Sequence, residues 1–465
     1  MENRTIAAIA TALSNSGISI IRVSGDEAIT ISDKIFKSPK GKALKDYSPN
    51  TINYGYIVDR DDVIDEVMVS IFKAPFSYTR EDVVEINTHG GIFITKKVLS
   101  LLLQNGAVMA EPGEFSKRAF LNGRIDLSRA EAIMDLIGAE SDVAIKSGIN
   151  QLRGDIFKKI NDLRARLIYE IAFIESALDD PEHISLDGYY DELSVKVDEI
   201  YRELKKLSES AENGRIVRDG INTVILGKPN AGKSSLMNVL MGNERAIVTD
   251  IPGTTRDSLE ESLKLGGVSF RLVDTAGIRD TEDVVEKIGV KRSKELAENA
   301  DLILYVVDSS RALDINDFDI INMTVNKKIV VLFNKNDLSS LVKEEDIRKE
   351  MLLAGHMDND FKIISISAKK NLGIDLLISE VQNMFFEGNI KISNEVMITN
   401  MRHKENIDLA IQSLDMVINS LNNNMPEDFL TIDLINVYSL LGFIIGEEVD
   451  DDLVTEIFSK FCMGK

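Results

Sequence analysis

Gly227-Lys228-Pro229-Asn230-Ala231-Gly232-Lys233-Ser234 has the residue types and spacing of a loop that holds phosphate. It fits the pattern G-x-x-x-x-G-K-[ST]. Glycines let backbone N–H groups turn inward around phosphate oxygens, and a helix N-terminus adds partial positive charge. Lys233 is placed to reach β- and γ-phosphates, and Ser234 to offer its hydroxyl to Mg²⁺. The chemistry needs a strand before the loop and a helix after it. The apolar run Ile221 to Leu226 precedes it, and Ser235-Leu236-Met237-Asn238-Val239-Leu240 follows. A chance glycine turn before a helix is the competing explanation.

Three further stretches bear on which nucleotide is held. Asp274-Thr275-Ala276-Gly277 follows the strand pattern Phe270-Arg271-Leu272-Val273. Asp274 there can hold the Mg²⁺ shell through water, and Gly277 can present its N–H to a γ-phosphate. Asn334-Lys335-Asn336-Asp337 ends the strand pattern Ile329 to Phe333. A carboxylate such as Asp337 accepts two N–H bonds from the N1 and 2-amino edge of guanine, which adenine does not offer. Ser367-Ala368-Lys369 ends another strand pattern, Ile363 to Ile366. The order and spacing of the four stretches resemble those of the translation-factor class of GTPases.

Composition bounds the elements that position these residues. A chain of 465 residues has room for two to four domains, and 44% hydrophobic content allows real cores. The net charge of −22 disfavours long-range steering toward nucleic acid. RNA binding then requires a local basic patch or a basic partner. The single cysteine, Cys462, allows no intramolecular disulfide and suits a reducing compartment. No run of about 18 apolar residues appears, so no membrane span is expected. The N-terminus has no secretory pattern, so a cytoplasmic location is the expectation.

In chain order, residues 1–118 read as α+β. Ile18 to Val23, Val67 to Ala74 and Asp82 to Asn87 are expected strands, with helices over Asp26 to Phe36 and Gly91 to Gln104. Residues 119–216 read as helical, opening on a capping-box signature at Ser128-Arg129-Ala130-Glu131. The spacing of Ile145, Ile149, Leu152, Ile156, Ile160, Leu163, Leu167, Ile171, Ile174 and Leu178 predicts one face of one long helix, stopped by Asp179-Asp180-Pro181. A second helix runs through Leu193, Val197, Ile200, Leu204 and Leu207. Residues 217–384 alternate strands and helices, and 385–465 are helical again. The expected architecture is multidomain α/β: an α+β N-terminal domain, one discontinuous all-α helical domain, and an α/β P-loop GTPase domain inserted into it.

The loop after the phosphate motif contains Gly253-Thr254-Thr255-Arg256-Asp257. A threonine there completes the Mg²⁺ shell when γ-phosphate is present, and Thr255 is assigned that role. Ile278 stands where Ras-like GTPases carry a Gln that orients the attacking water, and it has no donor or acceptor.

These stretches, together with Thr5 to Thr11, Gly17 to Gly25, Tyr78 to Asp82, His89-Gly90-Gly91, Pro112 to Ser116, Ala119 to Gly123 and the tail Phe461-Cys462-Met463-Gly464-Lys465, resemble the tRNA-modification GTPase family MnmE (TrmE) over essentially the whole chain. The resemblance implies a Ras-like inserted domain and a folate-binding-like N-terminal domain. It implies GTP contacts from Asn230 to Ser235, from Thr249 through Asp250, Ile251, Pro252 and Gly253 to Thr255, and from Asp274, Thr275, Ala276, Gly277, Asn334, Lys335, Asp337, Ser367, Ala368 and Lys369. It implies a potassium ion held by Asn230, Thr249, Ile251 and Thr254, and a catalytic set of Glu286, Lys233 and Thr255 with Glu286 orienting water. Without the resemblance, Glu286 reads as a solvated carboxylate at a helix start.

For the N-terminal domain the resemblance implies a homodimer and a reduced folate, formyl- or methylene-tetrahydrofolate, contacted by Arg22, Glu85, Arg124 and Lys465. Arg124 replaces the family's lysine, keeping charge but changing geometry. The implied partners are tRNA and an FAD-dependent protein, MnmG (GidA). The implied reaction uses a folate one-carbon unit at C5 of the wobble uridine. Cys462 has two readings, a nucleophile of the tail or a small packing residue. The histidines show no metal-ligand spacing. The alternative function is a ribosome-assembly GTPase of the Era or Der type, which shares the Thr-Thr-Arg-Asp switch but lacks the N-terminal domain and the tail.

Overall fold

The computed structural model describes residues 4–243, 261–265, 267–272, 295–358, 360–386 and 396–464. The chain forms two compact units, Met1–Met134 with Gln151–Val197 and Gln412–Lys465, and Asp135–Asn150 with Asp198–Ile411.

In chain order the elements are β1 (Ile6–Ile9), β2 (Ile18–Ser24), α1 (Ala28–Asp33), β3 (Phe36–Lys37), β4 (Thr51–Asp59), β5 (Asp62–Phe72), β6 (Val83–His89), α2 (Ile92–Gln104), β7 (Val108–Met109) and α3 (Glu114–Leu121). Helices follow: α4 (Leu127–Ile137), α5 (Asp142–Leu152), α6 (Asp155–Asp179) and α7 (Tyr189–Asp219). Then come β8 (Ile221–Leu226), α8 (Lys233–Asn243), β9 (Glu261–Leu265), β10 (Val268–Leu272), β11 (Leu302–Asp308), α9 (Ile315–Met323), β12 (Lys328–Asn334), α10 (Glu344–Leu353), β13 (Phe361–Ser365) and α11 (Ile374–Phe386). The chain closes on α12 (Met401–Asn422), α13 (Glu427–Ile445) and α14 (Asp451–Ser459).

The first unit is built on a sheet of order β3-β4-β5-β6-β2-β1-β7, antiparallel except where β1 meets β7. Strand alternation puts Ile21, Val23, Val67, Val69, Ile71, Val84 and Ile86 on one face, buried with Ile31 of α1 and Val98 and Leu102 of α2. The other face carries Ile18, Arg22, Glu85, Met68, Tyr54 and Ile52, because each lies at even spacing or in register with its neighbour. In the same unit α13 packs on α6. By length and composition α13 is apolar enough to cross a membrane, yet its Leu430, Leu434, Val437, Leu441 and Ile444 are buried, as in a core helix. Asp433 breaks its apolar run, and burial raises that carboxyl above its usual range.

Two local expectations are corrected. The apolar stripe of Ile145 to Leu178 belongs to two helices, since Gly154 adopts a left-handed φ of 86° between α5 and α6. Ile156, Ile160, Leu163, Leu167, Ile171 and Ile174 are buried as expected, but Ile145, Ile149 and Leu178 are exposed. The helix after residue 125 starts two residues earlier than the signature places it. Asp126, not Ser128, accepts the Arg129 N–H at 3.0 Å, and Ser128 lies inside α4. The expected stop at Asp179-Asp180-Pro181 and the single helix through Leu193 to Leu207 match the structure. Strands β1 and β4 lack a strong period-2 signal and are not anticipated.

Gly113 caps α3 at φ 69°, and a Cβ there would stand 2.4 Å from the Phe458 carbonyl oxygen. Gly113→Ala is therefore expected to lose about 3 kcal/mol, from left-handed strain plus a backbone clash. Calorimetry reads this as a lower melting transition of the first unit, and a shift under about 1 °C contradicts it.

The second unit contains a sheet of order β13-β12-β11-β8-β10-β9. β13, β12, β11, β8 and β10 are parallel, and β9 pairs antiparallel with β10. Parallel strands covered on both faces read as continuous apolar runs. Leu304, Val306, Val330 and Leu332 pack toward α8 and α11. Ile303, Val307, Val331 and Phe333 pack with Ile321 of α9 and Ile347 and Met351 of α10.

Candidate functional site: a nucleotide-binding edge

From β8 the chain passes to β9 and β10 on one side, then returns to β11 on the other. The carboxyl end of β8 is thus a topological switch point, where open α/β sheets bind ligands. The phosphate loop leaves β8 there. Gly227 has φ 150°, and a Cβ on it would stand 2.5 Å from the Val306 carbonyl oxygen. Gly232 has φ 106° and lies against the Asn334 amide, so no side chain fits at either glycine. Asn230 itself is left-handed, at φ 62°.

Because β11, β12 and β13 run parallel to β8, their carboxyl ends deliver Asp308, Asn334 and Ser367 to the same edge. The buried Asn334 side chain joins two loops. It donates to the Ala231 carbonyl at 2.8 Å and accepts from the Ala368 N–H at 3.0 Å. Ser367 Oγ donates to Asp337 Oδ1 at 2.9 Å, and this bond is the main reason that carboxyl sits below its usual range. Lys335, left-handed at φ 66°, donates to Asp308 Oδ2 at 2.6 Å. Burial pushes the Asp308 carboxyl up, but Lys335 and Ser310 hold it below its usual value. Asp308 is not singled out by the sequence. A lone Asp at a strand end carries no sequence signal of its lysine partner 27 residues on.

Lys233 donates to the Gly227 carbonyl at 2.7 Å and the Lys228 carbonyl at 2.8 Å. Burial lowers its pKa. Ser234 and Ser235 lie in the first turn of α8 on its exposed side, and Lys369 is exposed beside Ala368. The edge thus gathers Asn230, Ala231, Gly232, Lys233, Ser234, Ser235, Asn334, Lys335, Asp337, Ser367, Ala368 and Lys369. Thr249, Asp250, Ile251, Pro252, Gly253, Thr254, Thr255, Asp274, Thr275, Ala276, Gly277, Ile278 and Glu286 lie outside the described residues.

A second cluster forms in the first unit. β2 and β6 pair Arg22 with Glu85, and the Arg22 Nε donates to Glu85 Oε1 at 2.8 Å. Arg22 also donates to the Gly464 carbonyl at 3.2 Å and lies 5.6 Å from the ring centres of both Tyr78 and Phe115. Arg124 donates to the Tyr78 carbonyl at 3.1 Å, its guanidinium 5.2 Å from the Tyr78 ring. Arg22, Glu85 and Arg124 are therefore brought together with the tail at Gly464, and Lys465 lies outside the described residues. Arg22 and Glu85 form an ion pair, Nη2 to Oε1 at 2.8 Å. Tyr78, half-buried beside both arginines, and Phe115, buried in the core beneath Arg22, are aromatic neighbours that spacing does not single out. Cys462 is exposed, which corrects its packing reading, and its carbonyl accepts from the Gly113 N–H.

A doubly wound sheet with a glycine loop at its switch point, and Asn-Lys-x-Asp at the end of β12, defines a P-loop GTPase. Comparison with known proteins narrows the class. The model of the MnmE helical domain matches residues 127–462, and that of the GTP-binding protein TrmE N-terminus matches residues 5–124. The tRNA modification GTPase MnmE of Lachnoclostridium phytofermentans is 53% identical over 466 residues, covering 100% of each chain. Those of Clostridioides difficile and Alkaliphilus oremlandii are 47% and 45% identical, each covering 99% of both chains. The chain belongs to the MnmE family of tRNA modification GTPases.

Proposed function

We propose that the chain hydrolyses GTP in a potassium-dependent reaction and couples it to modification of C5 of tRNA wobble uridine. The partner would be the FAD-dependent MnmG, and the one-carbon donor a reduced folate. The observation that carries the GTPase part is the convergence of phosphate loop and guanine loop on one sheet edge, tied by the Asn334 amide. The acidic chain, at net charge −22, favours a tRNA complex in which a partner supplies basic surface.

The residue types fit the implied groups. Ser234, in the first turn of α8, has a hydroxyl suited to Mg²⁺, with Thr255 proposed as its second protein ligand. Asn230 offers a side-chain oxygen to potassium, with Thr249, Ile251 and Thr254 as proposed carbonyl ligands. Bound there, the cations supply positive charge against the transferring phosphoryl group. Lys233 binds the β- and γ-phosphates, and Glu286 orients the water that Ile278 cannot. GTP turnover at matched ionic strength is expected to be at least about tenfold faster in KCl than in NaCl, with the gain growing with protein concentration. Equal rates in the two salts overturn the potassium assignment and favour the Era or Der reading.

The cluster of Arg22, Glu85, Arg124, Tyr78 and Phe115 fits a folate. The Tyr78 ring can stack a pterin, a carboxylate accepts its paired N–H donors, and arginines bind glutamyl carboxylates. Lys465 joins this set as a proposal. Glu85→Gln is expected to weaken 5-formyltetrahydrofolate binding about tenfold or more in calorimetric titration. Unchanged affinity sinks the assignment. The exposed sheet face bearing Ile18, Ile52, Tyr54 and Met68 supports a homodimer through this domain. We propose domains at 1–118, 119–216, 217–384 and 385–465, the helical parts forming one domain, in a protein that works in the cytoplasm where tRNA is modified.

A further inference from the structure

Asp317 lies in the first turn of α9, outside every nucleotide motif, and is 1% exposed. A carboxylate buried this far is costly unless fully partnered. Its Oδ1 accepts the Tyr305 hydroxyl at 2.8 Å, and its Oδ2 accepts the Asp314 N–H at 3.0 Å. Oδ2 also meets the Lys228 ammonium at 2.6 Å. The same ammonium donates to Asp314 Oδ2 at 2.9 Å. Tyr305 is itself buried in strand β11, so the carboxylate is held from the sheet as well as from the helix.

Lys228 is the second residue of the phosphate loop. Its side chain is committed to Asp314 and Asp317, while its main-chain carbonyl accepts the ammonium of Lys233 at 2.8 Å. One residue thus connects a rigid buried anion to the lysine that meets phosphate. Two carboxylates more than offset the single charge of Lys228, so it does not compete with Lys233 for the anion.

We propose that Asp317, acting through Lys228, is a positioning residue that sets the phosphate loop in its binding shape before nucleotide arrives. A loop already fixed loses less conformational freedom on binding, and that difference appears as affinity. With the anchor gone, Gly227 and Lys228 no longer hold their carbonyls in place, and the Lys233 ammonium loses its fixed perch. The inference rests on the GTP-binding reading above and deepens it.

The test uses the full-length chain and a fluorescent GDP analogue labelled on the ribose. Lys228→Met keeps the alkyl stem, leaves Asp317 bonded to Tyr305 and to the Asp314 N–H, and leaves the cap of α9 intact. Its dissociation constant for the analogue is expected to rise about tenfold, while Lys228→Arg, which preserves the ion pair, recovers most of the loss. Asp317→Asn is expected to weaken binding as much as Lys228→Met, and combining the two to add little further. Lys228→Met binding within about twofold of the wild type overturns the proposal, as does Lys228→Arg being as weak as Lys228→Met. Failure of the wild type to bind the analogue sinks the GTP reading itself, and so is told apart from either.

Discussion

Lys233→Ala is expected to abolish measurable GTP binding and to lower GTP turnover by at least about a hundredfold. Removing one preorganised donor from developing phosphoryl charge typically costs this much or more. The geometry adds to the effect. The half-buried Lys233 ammonium lies against two carbonyls, of Gly227 and Lys228, and meets no carboxylate among the described residues. Burial lowers its pKa, so the cation is held at some cost, which a phosphate relieves. Lys233→Arg is expected to fail as well, because the planar fork does not occupy the place of a compact ammonium. GTP turnover and titration of a fluorescent GDP analogue check both variants. Turnover of Lys233→Ala within about fivefold of the wild type contradicts the placement of the phosphates.

Asp337→Asn should exchange GTP for xanthosine triphosphate as the preferred substrate. Guanine offers two donors, N1–H and the 2-amino group, to the two oxygens of a carboxylate. Xanthine replaces the amino group with a carbonyl, which a carboxylate repels and an amide N–H satisfies. The Asp337 carboxyl is held below its usual range chiefly by Ser367, so it stays ionised throughout the neutral range. A site built to bond a polar edge rejects the wrong edge strongly, so the GTP/XTP preference should shift by about a thousandfold or more. Competing hydrolysis of the two nucleotides measures it. An unchanged preference for GTP removes Asp337 from base recognition.

Much of the second unit is legible because its signals are local. The run Ile221 to Leu226 and the strand β8 coincide, and the runs before Asn334 and Ser367 fall on β12 and β13. A parallel strand buried on both faces cannot hide its apolar residues, and a glycine loop after it needs no tertiary knowledge. What the sequence conceals are partnerships made by register or by distance. Arg22 and Glu85 meet only because β2 and β6 pair at that step, and Lys228 meets Asp317 only because α9 returns beside the loop. The split between α5 and α6 is hidden for a different reason. The apolar period runs straight through residue 154, while one glycine in a left-handed conformation breaks the backbone beneath it. At Ser128 the capping signature was real as a pattern, but Asp126, two residues earlier, makes the stronger cap.

The Asn334 amide has a consequence for how the protein breathes. Its two ends are spent on Ala231 and Ala368, so segments more than a hundred residues apart in the chain share one side chain. The Ala368 N–H is a buried donor whose exchange with solvent requires that bond to open, and a swing of the Asn334 side chain that opens it also releases the Ala231 carbonyl. The three segments therefore belong to one cooperative unit of opening, not to separate loops. A motion of that side chain therefore loosens the phosphate-loop and base-loop segments together.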